Sequence, residues 1–497
     1  MITEIELENV RLFEGSSWHF SLPPLSVFCG TNNSGKSTIL KTLLLLRQTQ
    51  EIREPRSERQ GRLELVGQQV DLGNYSSLVS HNETHRDILI AITIEDKIPF
   101  SLYKFLCLIN NENLSSNLTY EQLVLYRLKT RFIFGLSPET SMNSPAALKK
   151  AVYEISVDEK NLLSWEVVVS DSWERNEPKY EIFIPRKFLE RLDEFKTVDE
   201  QNPETLHFKT SLKGILPFGL TVLQPLPPII REATSDLDKA LSDIHYLGPL
   251  RSPGKRHYVG SPNIETDDPT GKSIPFLLVD LSVYHSKVWN CPPRQPSQHS
   301  KEIPLVHALN FWLYYLRTGH EPSDDNTEIE VSVKSDLYVE VKIKSVTETH
   351  NYPLIDSGFG YSQVLPILVK GLLAKPGQTL VVEQPELHLN PALQVRLADF
   401  LVAMVCAGKQ VLIETHSEHI VDAIRVLYVE DETGQLENKC RIFFIDTELD
   451  KPSVLPLDIK KDGSVPDWPQ HFFGEAASLT GRLLRAQKKF RNKSRAT

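Results

Sequence analysis

One stretch narrows what this chain can fold into more than any other: Gly30, Thr31, Asn32, Asn33, Ser34, Gly35, Lys36, Ser37 and Thr38 in succession. It matches the pattern G-x-x-x-x-G-K-[ST] in full. A short apolar run, residues 25–29, precedes it, and residues 37–48, rich in helix formers and apolar almost all round, follow. That order predicts a strand, a glycine loop and a buried helix. The two glycines let backbone N–H groups curl around phosphate oxygens, and a helix N-terminus adds partial positive charge. In such a cradle Lys36 would reach the β- and γ-phosphates of ATP and Ser37 would ligate Mg²⁺.

Three further motifs lie downstream. Residues 380–391 (LVVEQPELHLNP) read as an apolar strand ending in Glu383, where a carboxylate can hold a magnesium ion or its water at the carboxyl edge of a sheet. Residues 410–419 (QVLIETHSEH) form a second acid-tipped strand followed by His416. A histidine there can contact a γ-phosphate, although a lone histidine more often serves structure. Residues 356–363 (DSGFGYSQ) place glycines ahead of an apolar helix whose natural N-cap would be Ser362. They read equally as an anion-binding surface or as a plain turn into the helix.

The alternation around these motifs predicts an α/β fold with a largely parallel sheet. Hairpin strands are expected at 329–334 and 337–343, helices at 303–317, from 362 and from 391, and a surface loop over 252–300. Between residues 81 and 240 the pattern is weaker. Strands are expected at 88–94 and 181–185, helices at 120–130 and 187–195. With 40% hydrophobic residues the 497-residue chain can bury a large core, and nothing approaches the about 20 apolar residues of a membrane span. The amino terminus lacks the apolar core of a signal peptide. Five scattered cysteines without C-x-x-C spacing fit a reducing cytoplasm, and no metal-ligand constellation stands out elsewhere. The net charge of −10 argues against a dedicated nucleic-acid binder. The basic tail from Arg482 to Arg495 reads first as a solvated helix.

In this order the four motifs resemble the ABC-type ATPases of the RecF/SMC/OLD superfamily. HYLGPLR, SGFGYSQVLPIL, VVEQPELHLNP and ETHSEHI look like a compact prokaryotic subgroup that includes the ATPase subunit of Septu-like anti-phage systems. The resemblance covers roughly 1–80 and 240–475. It implies an ABC-ATPase-like head from residues 1–80 and 241–430 and a short helical C-terminal extension at 431–497, while the uncovered 81–240 reads from its own residues as a mixed α+β insertion. It makes Gly30, Asn32, Asn33, Ser34, Gly35, Lys36, Ser37 and Thr38 the Walker A loop, and Glu383 the Walker B acid. Gly358, Gly360, Ser362 and Gln363 become the signature, Glu386 the start of the D-loop, and His416 the switch. It implies ATP with Mg²⁺, held by Ser37 and Glu383, between two copies of a head-to-head dimer or a higher oligomer built on it. A separate nuclease subunit, of HNH type as the leading expectation, and possible nucleic-acid contact come with it, in an anti-phage role. A RecF-like repair ATPase that binds DNA directly is the alternative. One departure stands out: Gln384 occupies the position of the glutamate that activates water. An amide cannot accept that proton, so Glu386 or His416 would have to substitute, or hydrolysis would be slow.

Overall fold

The structure is a computed structural model. It describes residues 1–15, 17–51, 60–99, 101–103, 125–136, 146–170, 179–185, 205–220, 227–259, 268–293, 300–322, 327–335, 338–344, 350–356, 359–448 and 451–469. Among these, two large sheets dominate. The first is an antiparallel meander of β1 (Ile2–Glu8), β2 (Trp18–Ser21), β4 (Ile88–Lys97), β5 (Leu125–Leu136), β6 (Ala146–Val157), β7 (Lys160–Val169), β8 (Tyr180–Pro185), β9 (Thr205–Lys213) and β10 (Leu216–Leu220), in the order β10-β9-β8-β7-β6-β5-β4-β1-β2. The second contains β3 (Leu25–Gly30), β11 (Ile244–Leu247), β18 (Thr379–Glu383), β19 (Gln410–Glu414), β20 (Cys440–Glu448) and β21 (Lys451–Leu457), in the order β11-β18-β19-β3-β20-β21. All its neighbours run parallel except β20 and β21. A small antiparallel sheet holds β12 (Tyr258–Val259), β15 (Ile329–Ser335), β16 (Tyr338–Lys344) and β17 (Asn351–Pro353), and β13 (Lys287–Asn290) pairs with β14 (Lys301–Pro304).

The parallel sheet is covered on both faces, which is why β3, β18 and β19 are buried at every position. Their side chains alternate between two cores. Phe28, Val381, Leu412 and Phe443 join the core that contains the antiparallel sheet, α1 (Lys36–Gln50) and α2 (Pro228–Ser242). Val27, Leu380, Val382, Val411 and Ile413 join the other, with α3 (Leu305–Thr318), α4 (Phe359–Leu373), α5 (Pro391–Cys406) and α6 (Glu418–Glu430). The expected hairpin at 329–343 is β15 and β16, and the helix from residue 391 is α5, capped by Asn390 accepting from the Leu393 N–H.

Several expectations are corrected. Residues 125–130, read as helix, belong to β5. Tyr126, Leu128, Thr130, Phe132 and Phe134 all turn inward at period 2, and pairing with β4 and β6 overrides the helix propensity of the Leu, Arg and Lys between them. Ser362 is not an N-cap, since α4 already begins at Phe359 and buries Ser362 in its first turn. The 252–300 stretch is not all loop: short helices at Ile274–Leu277 and Leu281–Tyr284 and strand β13 bury Ile274, Leu277, Leu278 and Val288. In the C-terminal region expected to be helical, β20 and β21 extend the parallel sheet, and residues 470–497 lie outside the described residues. So do the helix expected at 187–195 and Gly358.

Candidate functional site

The site gathers at the carboxyl edges of β3, β19 and β18, which lie side by side in that order. After β3 the chain turns through Gly30 at φ +136°, Asn33 at +60° and Gly35 at +102°. The first glycine is obligatory: a Cβ on Gly30 would sit 1.8 Å from the Ile445 carbonyl oxygen of β20. Gly35 is the N-cap of α1 and brings no side-chain acceptor, so no cap competes for the first-turn N–H groups. The loop is braced from within and from β20. Ser34 Oγ donates to the Thr31 carbonyl at 2.8 Å, and Thr31 Oγ1 donates to Asp446 Oδ1 at 2.6 Å. Lys36 folds back on its own loop, its ammonium donating to the carbonyls of Gly30, at 3.2 Å, and Thr31. Burial holds that ammonium below its ordinary range.

Two buried carboxylates face this cradle. Glu383 and Glu414 end β18 and β19 and are paired in register. The Ser37 hydroxyl donates to Glu414 Oε1 at 2.9 Å, so the structure joins Ser37 to the acid of β19. Glu383 Oε1 accepts from the Tyr246 hydroxyl at 2.9 Å. Burial, and then repulsion from Glu414, push the Glu383 carboxyl up to about 6. Behind it, Arg251 grips the end of β18, donating to the Glu383 carbonyl at 2.7 Å and the Gln384 carbonyl at 3.3 Å. Gln384 itself sits at φ +44°, with its N–H on the Glu414 carbonyl at 2.7 Å. Left-handed backbone at a side chain of this size is strained, and these bonds hold it in place.

Glu386 has a different task. Its Oε2 accepts from Thr415 Oγ1 at 2.8 Å and its Oε1 from the His416 N–H at 2.7 Å. It ties the segment after β18 to the turn after β19 and so positions His416. Burial, and then Lys36, push the His416 imidazole down, favouring its neutral form. Gly360 is placed against the other end of the same segment: a Cβ there would lie within 3.7 Å of Leu389, Leu393 and the His388 carbonyl. Ser362 and Gln363 follow, buried near the start of α4.

The residues fit a magnesium-bound polyphosphate on three observations: a glycine cradle opening on a helix N-terminus, a lysine and a serine at its rim, and a buried carboxylate oxygen, Glu414 Oε2, without a hydrogen-bond partner. The sequence marks Glu414 as the tip of its strand without giving it a ligand role, and does not single out Tyr246, Arg251 or Asp446. An acid at the tip of an apolar strand was a readable signal for Glu414, but the others depend on sheet order. Elsewhere among the described residues, Glu4, Glu6 and His19 cluster on the antiparallel sheet, where Lys129 neutralises Glu6. No described helix is long and apolar enough to cross a membrane.

The family model described as "AAA ATPase domain" matches residues 1–206 and 310–421, more than half of the chain. No curated protein matches the sequence. Among solved structures, the chain is similar to an SmcHead bound to the C-winged helix domain of ScpA, at 11% identity and TM-score 0.42, covering 93% of this chain and 98% of that one. It is also similar to the SMC head domain from Thermotoga maritima, at 9% identity and TM-score 0.35, covering 92% and 99%. A third is the Smc head domain with an extended coiled coil bound to the C-terminal domain of ScpA derived from Pyrococcus furiosus, at 10% identity and TM-score 0.38, covering 93% and 97%.

Proposed function

The chain belongs to the AAA ATPase domain family, and from that premise we propose that it is an ATP-switched protein whose two copies close on nucleotide to control a partner effector. The observation that carries this reading is the placement of the 30–38 loop, with Lys36 and Ser37 at the start of α1, directly beside the buried carboxylates of β18 and β19. In this reading Gly30, Asn32, Asn33, Ser34, Gly35, Lys36, Ser37 and Thr38 bind the triphosphate of ATP. Mg²⁺ falls to Ser37 and the strand-end acids, and supplies charge neutralisation at the phosphates. Gly358, Gly360, Ser362 and Gln363 of a second copy complete the site from outside.

Holding nucleotide is proposed to matter more than splitting it. Gln384 has no proton-accepting group where the family resemblance places the catalytic glutamate. Glu386, a candidate substitute, spends both oxygens on Thr415 and His416. The resemblance to Septu-like systems supports a nuclease, of HNH type, as the effector, and a cytoplasmic anti-phage setting. It also supports dividing the chain into a head of residues 1–80 and 241–430, an insertion at 81–240 and an extension at 431–497, to which the pairing of β20 with β3 adds a share of the head sheet. The RecF-like alternative predicts direct DNA binding that strengthens with ATP and weakens steeply with salt.

Titration with a fluorescent ATP analogue tests the reading. The parent protein is expected to bind it, and Lys36→Ala to bind at least about tenfold more weakly, as loss of a charge-assisted phosphate contact implies. Equal binding by both proteins would contradict the assignment of the loop.

A further inference from the structure

Three carboxylates converge at the ends of β18 and β19, and they are not equivalent. Glu386 uses both oxygens to hold the turn at Thr415 and His416. Glu383 is engaged by Tyr246. Glu414 shares Oε1 with the Ser37 hydroxyl, while its Oε2 is the one carboxylate oxygen among the described residues that is buried without any hydrogen-bond partner. Glu414 is 4% exposed. A buried anionic oxygen left bare is costly unless a cation completes it.

We propose that Glu414, together with the Ser37 hydroxyl, is the direct protein holder of the divalent cation that accompanies the triphosphate, with Glu383 supporting it from the neighbouring strand. The proposal rests on the ATP reading and deepens it. Glu414 Oε1 already accepts from the Ser37 hydroxyl at 2.9 Å, so the cation falls to the bare Oε2 of the same carboxylate, beside that hydroxyl. Ser37 sits on the rim of the phosphate cradle, so a cation there reaches phosphate oxygens as well. Sheet order is what makes this assignment: β19 lies between β3 and β18, so its acid is the nearer of the two to the loop. The Tyr246 hydroxyl on Glu383 further commits that acid to the side of β11.

Two measurements on the full chain test it: binding of a fluorescent ATP analogue in EDTA and in Mg²⁺, and Mn²⁺ binding to the nucleotide complex by electron paramagnetic resonance. For Glu414→Gln the readout is the ratio of its own nucleotide affinities in Mg²⁺ and in EDTA. This variant is expected to lose the tightening that Mg²⁺ brings and to bind Mn²⁺ about tenfold or more weakly. Glu414→Asp, which keeps the charge, is expected to fall between the two. It carries the test if the glutamine variant does not fold. Mn²⁺ affinity in both variants within about twofold of the parent, with Glu383→Gln alone losing it, would overturn the assignment. A parent protein that binds no nucleotide in EDTA or Mg²⁺ would overturn the ATP reading beneath it, a separate outcome that removes this proposal as well.

Discussion

Gly30 and Glu386 each make a contact that holds the site together. Gly30 combines a left-handed backbone with the Ile445 carbonyl at its α-carbon. Gly30→Ala must therefore part β3 from β20, and is expected to destabilise the protein by about 3 kcal/mol or more in urea unfolding. A loss below about 1 kcal/mol would mean that the sheet yields there. Glu386 holds the His416 N–H, so Glu386→Ala is expected to speed hydrogen exchange across residues 415–417 while leaving nucleotide binding in EDTA unchanged. Unaltered protection would remove its positioning role. At this scale the sequence was only partly readable. The 30–38 motif announces itself because phosphate binding requires that spacing. The bond from Ser37 to Glu414 does not, because it depends on which strand lies beside β3, and strand order is written nowhere in local pattern.

Elements show the same division. Strands β3, β18 and β19 could be read almost to their ends, because a strand covered on both faces is a continuous apolar run closed by glycine, proline or an acid. β5 could not. Its inward residues alternate, but Leu125, Arg127, Lys129 and Arg131 fill the other face with helix formers, and only its partners β4 and β6 decide the matter. Ser362 misled for a related reason: a serine ahead of an apolar run resembles a cap, yet α4 starts three residues earlier. The far end of α4 carries a prediction of its own. Lys409, fully buried, donates to the carbonyls of Gly371 at 2.8 Å and Leu372 at 3.1 Å. Lys409→Met leaves those acceptors bare and is expected to cost about 2 kcal/mol. Burial pushes the Lys409 ammonium down to about 7 from an ordinary value of 10.5. Between those values the unfolded chain holds a proton that the folded one has released, so folded stability rises with pH across that window. Urea unfolding at pH 7 and pH 9 is expected to show that rise in the parent and a smaller one in Lys409→Met. Identical slopes would mean that Lys409 keeps its proton in the fold.

For the whole molecule, the two sheets share one core through α1, so the helix that follows the 30–38 loop packs in the core of the antiparallel sheet as well as of β18 and β19. Residues Gly360, Ser362 and Gln363 open α4 against the segment after β18, where Gly360 faces Leu389 and Leu393. In the proposed dimer these residues serve the nucleotide of a second copy. The shared site therefore requires assembly, and sedimentation velocity measures it most directly. At saturating Mg-ATP the parent is expected to sediment as a dimer or a multiple of it, while Lys36→Ala under the same conditions does not gain that species. A parent protein that stays monomeric at saturating Mg-ATP would contradict the shared site.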